Sequence, residues 1–398
     1  MSIIKIKLPA SKSLSNRALI IRALSHNLVT IKNLSDANDT IILKRLLDKP
    51  TDVINVEDAG TAYRFLTAYF ALQPLTCEIT GSKRLLERPI KPLVDALRSL
   101  GAKIQYLNKE NQAPIKIIGG LLENDIVEID VSESSQYASA LMLIGPYLNN
   151  GLTIELKGDI VSEPYLKATA QLMKACGAEV AFKNNKINVG FGFYTKSEIY
   201  IEADWSSAAF FYMLCALHPK LEFSFQGLSK NSLQGDSYLA EIFTSLGIET
   251  KFGKTSATIS NSGKNINPPT IIDFSQQPDL APPLIVLYAE LNLPLKINGV
   301  AHLSLKESNR MEVLSSELKK LGKQLVKKNE NEWDLLVGTL KCENPVEINT
   351  HNDHRITMSF AILQLKYPAI KLSETSSVIK SFPGFWEEFR KVQTAMSN

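Results

Sequence analysis

Four copies of one short pattern, a helix that ends in glycine and leads into a strand, limit this chain to a repeated architecture. The glycines that end the helices lie 76, 70 and 75 residues apart. Glycine directly after a helix takes the left-handed backbone conformation that closes it. A nearly constant period of this length indicates a duplicated supersecondary unit. The glycines are Gly101, Gly177, Gly247 and Gly322.

Strands and amphipathic helices alternate between these glycines, which predicts an α/β fold. The strand candidates span residues 3–8, 115–118, 126–131, 152–156, 199–201 and 346–348. The helix candidates span residues 13–25, 61–72, 89–100, 135–148, 163–176, 206–217, 234–246, 279–291, 308–321 and 354–366. The chain has neither a G-x-G-x-x-G motif after a strand nor a Walker phosphate loop, which argues against the two common modes of nucleotide binding.

The composition is that of a globular protein long enough for two domains. The chain has 398 residues, of which 44% are hydrophobic and 21% are charged. Its 44 basic and 41 acidic residues give a net charge of +3, whereas a nucleic-acid-binding protein shows a strong basic excess. We therefore expect no nucleic-acid partner, and any cationic site must be a local concentration of charge.

The cysteines indicate a reducing environment. Cys77, Cys176, Cys215 and Cys342 are far apart and form no C-x-x-C pair, so they predict buried free thiols rather than disulfides or a zinc site. The N-terminus lacks the pattern of a signal peptide. No apolar run reaches the length of about 18 residues that spans a bilayer, and we expect a cytoplasmic protein without a membrane partner.

The segment 8–17, Leu-Pro-Ala-Ser-Lys-Ser-Leu-Ser-Asn-Arg, places basic and hydroxyl side chains at the start of a predicted helix. Lys12, Ser13 and Arg17 would lie beside unpaired backbone N–H groups at the positive end of the helix dipole. Such a helix start can bind an anion. A surface helix with solvated bases is the alternative, and this segment alone does not decide between the two.

The same arrangement recurs at further predicted helix starts in the first half of the chain. Gly60 would let a ligand approach the backbone, with Thr61 as the helix cap and Arg64 one turn on. Arg88 precedes Pro89, and proline is a common first residue of a helix. Hydroxyl, phenol and amide side chains open the next two helices: Ser134, Ser135 and Gln136, then Ser162 and Tyr165. Each motif is also compatible with an ordinary helix cap or a charged loop.

The second half of the chain adds loops that combine cations with carboxylates beside helices. They are Asp279, the run 306–310, the run 352–355 and the run 380–383. Carboxylates among cations either orient bases in structural salt bridges or, with a tuned pKa, transfer protons. His354, between Asp353 and Arg355, leaves the same two possibilities open.

Nine motifs occur in order along the chain: S-K-S-x-S-N-R, A-G-T-A-x-R, E-R-P-I, S-S-Q, S-x-P-Y, P-D, K-E-S-x-R, N-D-H-R and K-S-F-P. Together, from Leu8 to Phe389, they resemble the family of 5-enolpyruvylshikimate-3-phosphate (EPSP) synthases, or 3-phosphoshikimate 1-carboxyvinyltransferases. The resemblance implies a two-domain inside-out α/β barrel, with repeated βαβαββ units around a pseudo-threefold axis in each domain. Residues 11–204 would form the domain on the shikimate 3-phosphate side, and residues 1–10 would join 205–398. The active site would lie in the interdomain cleft.

The resemblance implies transfer of the enolpyruvyl group of phosphoenolpyruvate to the 5-hydroxyl of shikimate 3-phosphate, with release of phosphate and with no cofactor or metal. Two small polyanionic substrates would account for many cationic helix starts in a nearly neutral protein. The implied phosphoenolpyruvate ligands are Lys12, Gly60, Arg88, Gln136, Arg310, Arg355 and Lys380. The implied shikimate 3-phosphate ligands are Ser13, Arg17, Ser134, Ser135, Gln136, Ser162, Tyr165, Asp279 and Lys306.

The resemblance also implies catalytic roles for Asp279, Glu307, Lys12 and His354. Asp279 would accept the proton of the 5-hydroxyl. Glu307, with Lys12, would protonate the methylene carbon of phosphoenolpyruvate and later help remove a proton. His354 would support proton transfer or the tetrahedral intermediate. Fixed cations and carboxylates in a closed, dry site would stabilise the charge that develops at C2 of the enolpyruvyl group.

The chain departs from the family's pattern in five places. Residues 36–57 form a shorter segment than usual, so one repeat is expected to lack a hairpin. Asp58 stands for the usual Asn before Ala-Gly-Thr, and Phe65 stands for the usual Pro. His302 replaces an Asn that lies near the shikimate ring, and Asn309 replaces an Asp.

Two other functions compete with this one. The related enolpyruvyl transferases that act on UDP-N-acetylglucosamine carry a Cys in the loop near Arg88, and residues 84–92 contain none. Loss of Asp279, Glu307 or Lys12 would favour a non-catalytic phosphometabolite-binding paralogue, and all three are present. We therefore expect an active transferase, and the resemblance implies that it is a monomer.

Overall fold

The computed structural model describes residues 3–263, 266–338 and 345–397. The chain divides into two compact units. The contiguous unit comprises Ser11–Ile201, and the split unit joins the residues up to Ala10 to those from Glu202 onward. This division lies three residues before the 204/205 boundary that the sequence predicts.

The contiguous unit alternates helices with short strands. Its helices are α1 (Lys12–Leu24), α2 (Asn38–Asp48), α3 (Gly60–Leu72), α4 (Lys83–Leu86), α5 (Lys91–Ser99), α6 (Gln136–Ile144) and α7 (Glu163–Ala175). Its strands are β2 (Val29–Lys32), β3 (Val53–Asn55), β4 (Thr76–Thr80), β5 (Lys103–Tyr106), β6 (Ile115–Ile118), β7 (Ile126–Asp130), β8 (Leu152–Lys157), β9 (Val180–Lys183), β10 (Lys186–Val189) and β11 (Ser197–Tyr200). A 3-10 turn, Gly145–Tyr147, follows α6.

The split unit has the same alternation. Its helices are α8 (Trp205–Leu217), α9 (Leu239–Ser245), α10 (Ala281–Glu290), α11 (Arg310–Lys320), α12 (His354–Leu363) and α13 (Phe385–Ser397). Its strands are β1 (Ile4–Ile6), β12 (Phe223–Gln226), β13 (Ile248–Phe252), β14 (Ser256–Asn261), β15 (Ile271–Asp273), β16 (Leu295–Asn298), β17 (Leu325–Lys327), β18 (Trp333–Leu335), β19 (Val346–Ile348) and β20 (Ile370–Leu372). Its 3-10 segments are Gly235–Tyr238, Pro278–Leu280, Ala301–Leu305 and Ser376–Lys380.

Four sheets share one topology. Their strand orders are β3-β4-β6-β5 and β7-β8-β10-β9 in the contiguous unit, and β1-β12-β14-β13 and β15-β16-β18-β17 in the split unit. In each, the first pair is parallel and the other two are antiparallel. A parallel pair needs a crossover helix and an antiparallel pair only a hairpin, so each sheet with its helices is one βαβαββ unit. The predicted α/β fold of repeated units is confirmed.

The helix-closing glycines mark these repeats. Gly101, Gly177, Gly247 and Gly322 have φ between 77° and 106°, and each directly follows the C-cap of α5, α7, α9 or α11. Each of these helices is the last helix of its βαβαββ repeat, and the hairpin of the repeat comes next. The period in the sequence is therefore the length of one full repeat, as predicted.

Each of the two compact units also contains a short parallel sheet. It pairs β11 with β2 in the contiguous unit and β19 with β20 in the split unit. In the contiguous unit, residues 49–52 connect α2 directly to β3, within the stretch 36–57 where the sequence predicts a missing hairpin. In the split unit, β20 leads into a 3-10 segment and α13, and the described residues after β20 add no further strand. The sequence does not predict this second short repeat.

Three helices in each unit are buried over most of their surface: α1, α3 and α6, and then α8, α10 and α12. Within each set of three, every helix contacts the other two. A helix that is apolar on all sides must be enclosed by other elements, and the run from Trp205 to Cys215 in α8 is completely buried. Most of the predicted site residues lie at the starts of these inner helices.

All ten predicted helices exist, with shifted ends, whereas α2, α4 and α13 were not predicted. The predicted helices 135–148, 234–246 and 279–291 each consist of an α-helix joined to a 3-10 turn. Cys77, Cys176 and Cys215 are buried free thiols, as predicted, and Cys342 lies outside the described residues. Among the helices of the described ranges, none combines the length and hydrophobicity that crossing a bilayer requires.

Candidate functional site

A buried guanidinium group, that of Arg17, is the centre of a polar cluster in the contiguous unit. Arg17 lies one turn into α1 and is 2% exposed. Its Nη1 donates to the backbone carbonyl and to Oγ of Ser13, both at 2.9 Å. Its Nε donates to Oγ1 of Thr169 on α7 at 2.6 Å, and its Nη2 to Oγ of Ser139 on α6 at 3.2 Å. One side chain thus ties three helices together.

The charge of Arg17 has no carboxylate beside it among the described residues. Its hydrogen-bond acceptors are neutral, and the rings of Phe65 and Tyr165 lie 5.4 and 5.7 Å from the guanidinium carbon. Burial lowers the pKa of Arg17 to about 10, so it remains a cation at neutral pH. A buried, unneutralised cation is unfavourable by itself, and a bound anion would stabilise it.

Lys12 begins α1 and is held by a residue of an unpredicted helix. Its Nζ donates to Oδ2 of Asp39 at 3.2 Å, and the Lys12 side chain remains 16% exposed. Asp39 lies in the first turn of α2 and is buried. The ammonium group is therefore oriented by a fixed carboxylate while part of it is accessible.

Gln136, the first residue of α6, is fixed by α3. Its Oε1 accepts a hydrogen bond from Nη1 of Arg64 at 2.9 Å, and its Nε2 donates to Oγ1 of Thr61 at 3.2 Å. The backbone N–H of Gln136 donates to Oγ of Ser134 at 3.2 Å. Arg64 is buried, with its guanidinium carbon 5.2 Å from the ring centre of Tyr137. Arg64, which the sequence places one turn into a possible anion-binding helix start, thus orients a predicted ligand.

Arg88 packs on the start of α3. A Cβ atom at Gly60 would lie 2.3 Å from Nη1 of Arg88, so the guanidinium group lies directly against the backbone there and would have to move for any larger residue. Arg88 is buried in the turn between α4 and α5. The structure therefore brings together the two predicted ligands Gly60 and Arg88.

Two predicted helix caps are wrong. Pro89 does not begin a helix, because α5 begins at Lys91 and Pro92 takes the second position. The carbonyl of Pro89 instead accepts a hydrogen bond from the hydroxyl of Tyr137 at 2.9 Å, which holds Pro89 outside the helix. Thr61 does not cap α3 either, since the N-cap is Ala59 and the Thr61 hydroxyl accepts from Gln136.

The hydroxyl groups of the N-cap residues of α6 and α7 do not cap their own helices. Ser135 and Ser162 occupy the N-cap positions, and neither side chain makes a cap hydrogen bond. Ser162 has φ of 57°, a backbone conformation that costs energy for a residue other than glycine and is typical of functional sites. Tyr165 follows, with its N–H bonded to the Ser162 carbonyl at 3.0 Å and its ring against Arg17.

A second cluster, in the split unit, surrounds Arg310, the first residue of α11. Arg310 is 1% exposed and contacts three carboxylates. Its Nη1 lies 3.1 Å from Oδ1 of Asp279, its Nη2 2.9 Å from Oε2 of Glu307 and its Nε 2.9 Å from Oδ2 of Asp353. Burial opposes the charge of Arg310, but the attraction of Asp353, Glu307 and Asp279 outweighs it and raises the pKa of Arg310.

The start of α12 completes this cluster. Asp353 is its N-cap and accepts the N–H of Arg355 at 3.0 Å with Oδ1. Nη2 of Arg355 donates to Oδ2 of Asp279 at 2.7 Å. Each oxygen of the Asp279 carboxylate therefore accepts from an arginine, Oδ1 from Arg310 and Oδ2 from Arg355, which fixes the orientation of the carboxylate. The sequence names Asp353 only as a neighbour of His354.

The remaining predicted residues lie close to these elements in the chain. His354 is buried, with Nδ1 3.9 Å from Oδ1 of Asp353. Lys380 is buried at the end of the 3-10 segment Ser376–Lys380, which is tied to α12 by a 2.8 Å hydrogen bond between Thr357 and Ser377. Lys306 directly follows the 3-10 segment Ala301–Leu305 and is partly exposed.

His302 is a buried histidine that stays neutral. It lies in the same 3-10 segment, four residues before Lys306. Burial, followed by the positive charge of Lys306, lowers the pKa of His302 to about 3. Its Nε2 is buried and accepts or donates no hydrogen bond within the described residues. A neutral imidazole can offer one donor and one acceptor to a ligand.

The two clusters have different chemistry. The cluster around Arg17 combines cations with hydroxyl groups, which suits a phosphate group on a polyol ring. The cluster around Arg310 holds Asp279 and Glu307 in place with arginines, which suits proton transfer by carboxylates. Within residues 3–263, 266–338 and 345–397, no three His, Cys, Asp or Glu side chains are grouped as a metal ion would require.

Comparison with known proteins gives a consistent result. A family model described as EPSP synthase (3-phosphoshikimate 1-carboxyvinyltransferase) matches residues 41–389. A 3-phosphoshikimate 1-carboxyvinyltransferase of Bacteroides fragilis is 43% identical over 97% of this chain and 94% of its own length. One of Methanospirillum hungatei is 33% identical, over 96% and 94% of the two chains.

Two solved structures have a similar fold. The EPSP synthase of Acinetobacter baumannii superposes with a TM-score of 0.75 at 21% identity, over 98% of this chain and 96% of that one. The enolpyruvyl transferase NikO of Streptomyces tendae superposes with a TM-score of 0.73 at 14% identity, over 97% and 94%.

Proposed function

The chain belongs to the family of EPSP synthases, the 3-phosphoshikimate 1-carboxyvinyltransferases, and from that premise we propose how its residues carry out the reaction. It is a transferase of the shikimate pathway. It moves the enolpyruvyl group of phosphoenolpyruvate to the 5-hydroxyl of shikimate 3-phosphate and releases phosphate. The substrates are small molecules.

Shikimate 3-phosphate is assigned to the cluster around Arg17. The observation that carries this assignment is the buried guanidinium group of Arg17, which has only neutral partners. The phosphate would supply the missing negative charge. The hydroxyl groups of Ser135 and Ser162, which do not cap their own helices, would bind the ring and the phosphate. The assigned ligands are Ser13, Arg17, Ser134, Ser135, Gln136, Ser162, Tyr165, Asp279 and Lys306.

Phosphoenolpyruvate is assigned to the cations and helix starts that remain. The assigned ligands are Lys12, Gly60, Arg88 and Gln136 in the contiguous unit, and Arg310, Arg355 and Lys380 in the split unit. Arg310 bonds carboxylates with three of its nitrogens. A guanidinium group has five N–H bonds, so about two remain for a substrate.

The proton transfers are assigned to Asp279 and Glu307. Asp279 takes the proton of the 5-hydroxyl as that oxygen bonds to C2 of phosphoenolpyruvate, and Glu307 gives a proton to C3, which becomes a methyl group. The resulting tetrahedral intermediate then loses phosphate from C2 and a proton from C3, which restores the double bond. Lys12 and His354 assist these steps. The arginines that hold Asp279 and Glu307 support the assignment, since a base must be oriented toward the proton it accepts.

Phosphate release in a mixture of both substrates tests this function. The wild type should release phosphate and form EPSP, and Asp279→Ala should lower kcat on the order of 10³-fold because the general base is lost. Asp334→Ala is the matched control, since Asp334 forms only a surface ion pair with Lys328. Activity in Asp279→Ala equal to that of the wild type would contradict the role of Asp279. Activity with UDP-N-acetylglucosamine and not with shikimate 3-phosphate would contradict the proposed acceptor.

We further propose that the enzyme is a monomer that works in the cytoplasm. The buried free thiols Cys77, Cys176 and Cys215 support a reducing compartment. Light scattering on the purified protein should give a mass near the 44.1 kDa of one chain. A mass of twice that value would contradict the monomer.

A further inference from the structure

Asp236 is a buried carboxyl group that has no place in the reaction as assigned so far. It lies in the 3-10 segment Gly235–Tyr238 and is 2% exposed. Its Oδ2 accepts a hydrogen bond from the hydroxyl of Ser206, in the first turn of α8. Its Oδ1 is also buried and has no hydrogen-bond partner among the described residues. A buried carboxylate with an unsatisfied oxygen is disfavoured, which shifts the equilibrium toward the neutral acid.

The charges around Asp236 come from the starts of the three inner helices of the split unit. Asp204 caps α8, Asp279 precedes α10 and Arg355 is the second residue of α12, and the 3-10 segments that hold Asp236 and Asp279 both contact α8. Burial, followed by the negative charge of Asp279, raises the pKa of Asp236 to about 7. Asp204 acts in the same direction, while the Ser206 hydrogen bond and Arg355 oppose it.

We propose that Asp236 is a positioning residue for the base Asp279: it carries a proton in the resting enzyme and, once ionised, makes Asp279 a stronger proton acceptor. The proposal rests on the function assigned to Asp279 above. A carboxylate that two guanidinium groups hold, as Arg310 and Arg355 hold Asp279, accepts protons poorly. A second negative charge nearby offsets part of that stabilisation, and two carboxyl groups so placed titrate as a coupled pair.

Infrared spectroscopy tests the proton without any assay of activity. A protonated carboxylic acid has a C=O band that a carboxylate lacks. The wild type should show a buried-acid band at about pH 6 that disappears by about pH 8, and Asp236→Asn should lack it. Ser206→Ala removes a hydrogen bond to the carboxylate, so the band should persist to higher pH. Asp130→Asn is the matched control, because Asp130 also bonds a serine hydroxyl, that of Ser132, but is exposed.

The pH dependence of kcat tests the effect on Asp279. In the wild type, kcat should rise several-fold through about pH 7, and Asp236→Asn should lose this rise while the KM for shikimate 3-phosphate changes less than twofold. Substrate groups that titrate in the same range affect both enzymes alike. A wild type without the band, a band that remains in Asp236→Asn, or superposable pH profiles would overturn the proposal. If neither enzyme turned over these substrates, the assigned function would fail, and the infrared result alone would decide the protonation of Asp236.

Discussion

At the scale of single residues, two buried arginines show how differently the clusters are built. Arg310 is surrounded by Asp279, Glu307 and Asp353, so its charge is already neutralised. Arg17 has only hydroxyl, carbonyl and aromatic partners. The first arrangement orients carboxylates, and the second requires an anion from outside the protein.

Replacement of Arg17 by lysine should therefore weaken the binding of shikimate 3-phosphate. Lysine keeps the charge but cannot reproduce the planar fork of donors that bonds Ser13, Thr169 and Ser139. We expect an increase in Kd of about 100-fold, since a hydrogen bond to a charged group is worth about 1.5–3 kcal/mol. Isothermal titration calorimetry measures it. Arg45→Lys, in an exposed ion pair with Glu57, should bind normally, and an unchanged Kd for Arg17→Lys would contradict the assignment.

His302 should make the protein sensitive to acid. Its pKa is about 3 in the folded protein against about 6.5 in the unfolded chain. Between these values the unfolded chain binds a proton that the folded protein does not, so the free energy of unfolding falls as the pH falls. His302→Asn should therefore lose stability more slowly than the wild type from about pH 6 to about pH 4. Urea unfolding at several pH values measures this, and parallel curves for the two proteins would exclude the effect.

The sequence could identify residues within motifs but not their partners. Lys12, Arg17 and Arg310 are predicted because each stands at a helix start in a basic motif. Asp39 and Asp236 are not, since an isolated Asp has no local signal and its role depends on residues 27 and 30 positions away. Contacts of that kind arise only when helices pack.

At the scale of elements, helix starts are the units that build both clusters. Gly60 begins α3, Gln136 begins α6, Arg310 begins α11 and His354 begins α12. The sequence predicted these helices because capping residues and apolar periodicity are local signals. It missed α13, although the buried residues Phe385, Glu388, Phe389 and Val392 follow helical spacing. It missed α2 because residues 36–57 predict only a missing hairpin.

A methyl group added at the start of α3 should weaken the binding of phosphoenolpyruvate but not that of shikimate 3-phosphate. In Gly60→Ala the new Cβ would lie 2.3 Å from Nη1 of Arg88, so the guanidinium group must move. We expect the KM for phosphoenolpyruvate to rise by about 10-fold or more, equivalent to about 1.4 kcal/mol, with unchanged binding of shikimate 3-phosphate. Steady-state kinetics and calorimetry measure the two effects. Equal losses for both substrates would contradict the assignment of Gly60 and Arg88 to phosphoenolpyruvate.

The ion pair between Asp353, at the start of α12, and Arg310 should stabilise the fold more than a surface ion pair does. Asp353→Asn keeps a side chain that can cap the helix but removes a negative charge from the buried Arg310. Asp279 and Glu307 still neutralise Arg310 in this variant, so we expect only the loss of one charge-assisted hydrogen bond, about 2 kcal/mol in the free energy of unfolding measured with urea. Asp48→Asn is a matched control, because Asp48 also pairs with an arginine, Arg22, but on the surface, and it should cost about 0.5 kcal/mol. Equal losses would contradict this prediction, because they would mean that the buried pair of Asp353 with Arg310 stabilises the fold no more than a surface pair does.

At the scale of the whole molecule, the sequence predicts those repeats of the fold that carry a recognisable sequence pattern. Four closing glycines mark the four complete repeats. Within the described residues, the two short repeats show no hairpin after their second helices and no such glycine, so the period does not reveal them. The pseudo-threefold axis, the interdomain cleft and the substrate side of each domain stay predictions, because they depend on long-range arrangement that local patterns do not encode.

The proposed mechanism requires that C3 of phosphoenolpyruvate gain a proton before phosphate leaves. The most direct test is the reaction in deuterium oxide, with the EPSP product examined by mass spectrometry. This mechanism predicts deuterium in the vinyl methylene group, and a decrease in kcat on the order of 10²-fold in Glu307→Gln. Product from the wild type without deuterium would mean that the enolpyruvyl group is transferred without protonation of C3, and it would contradict addition-elimination and the role assigned to Glu307.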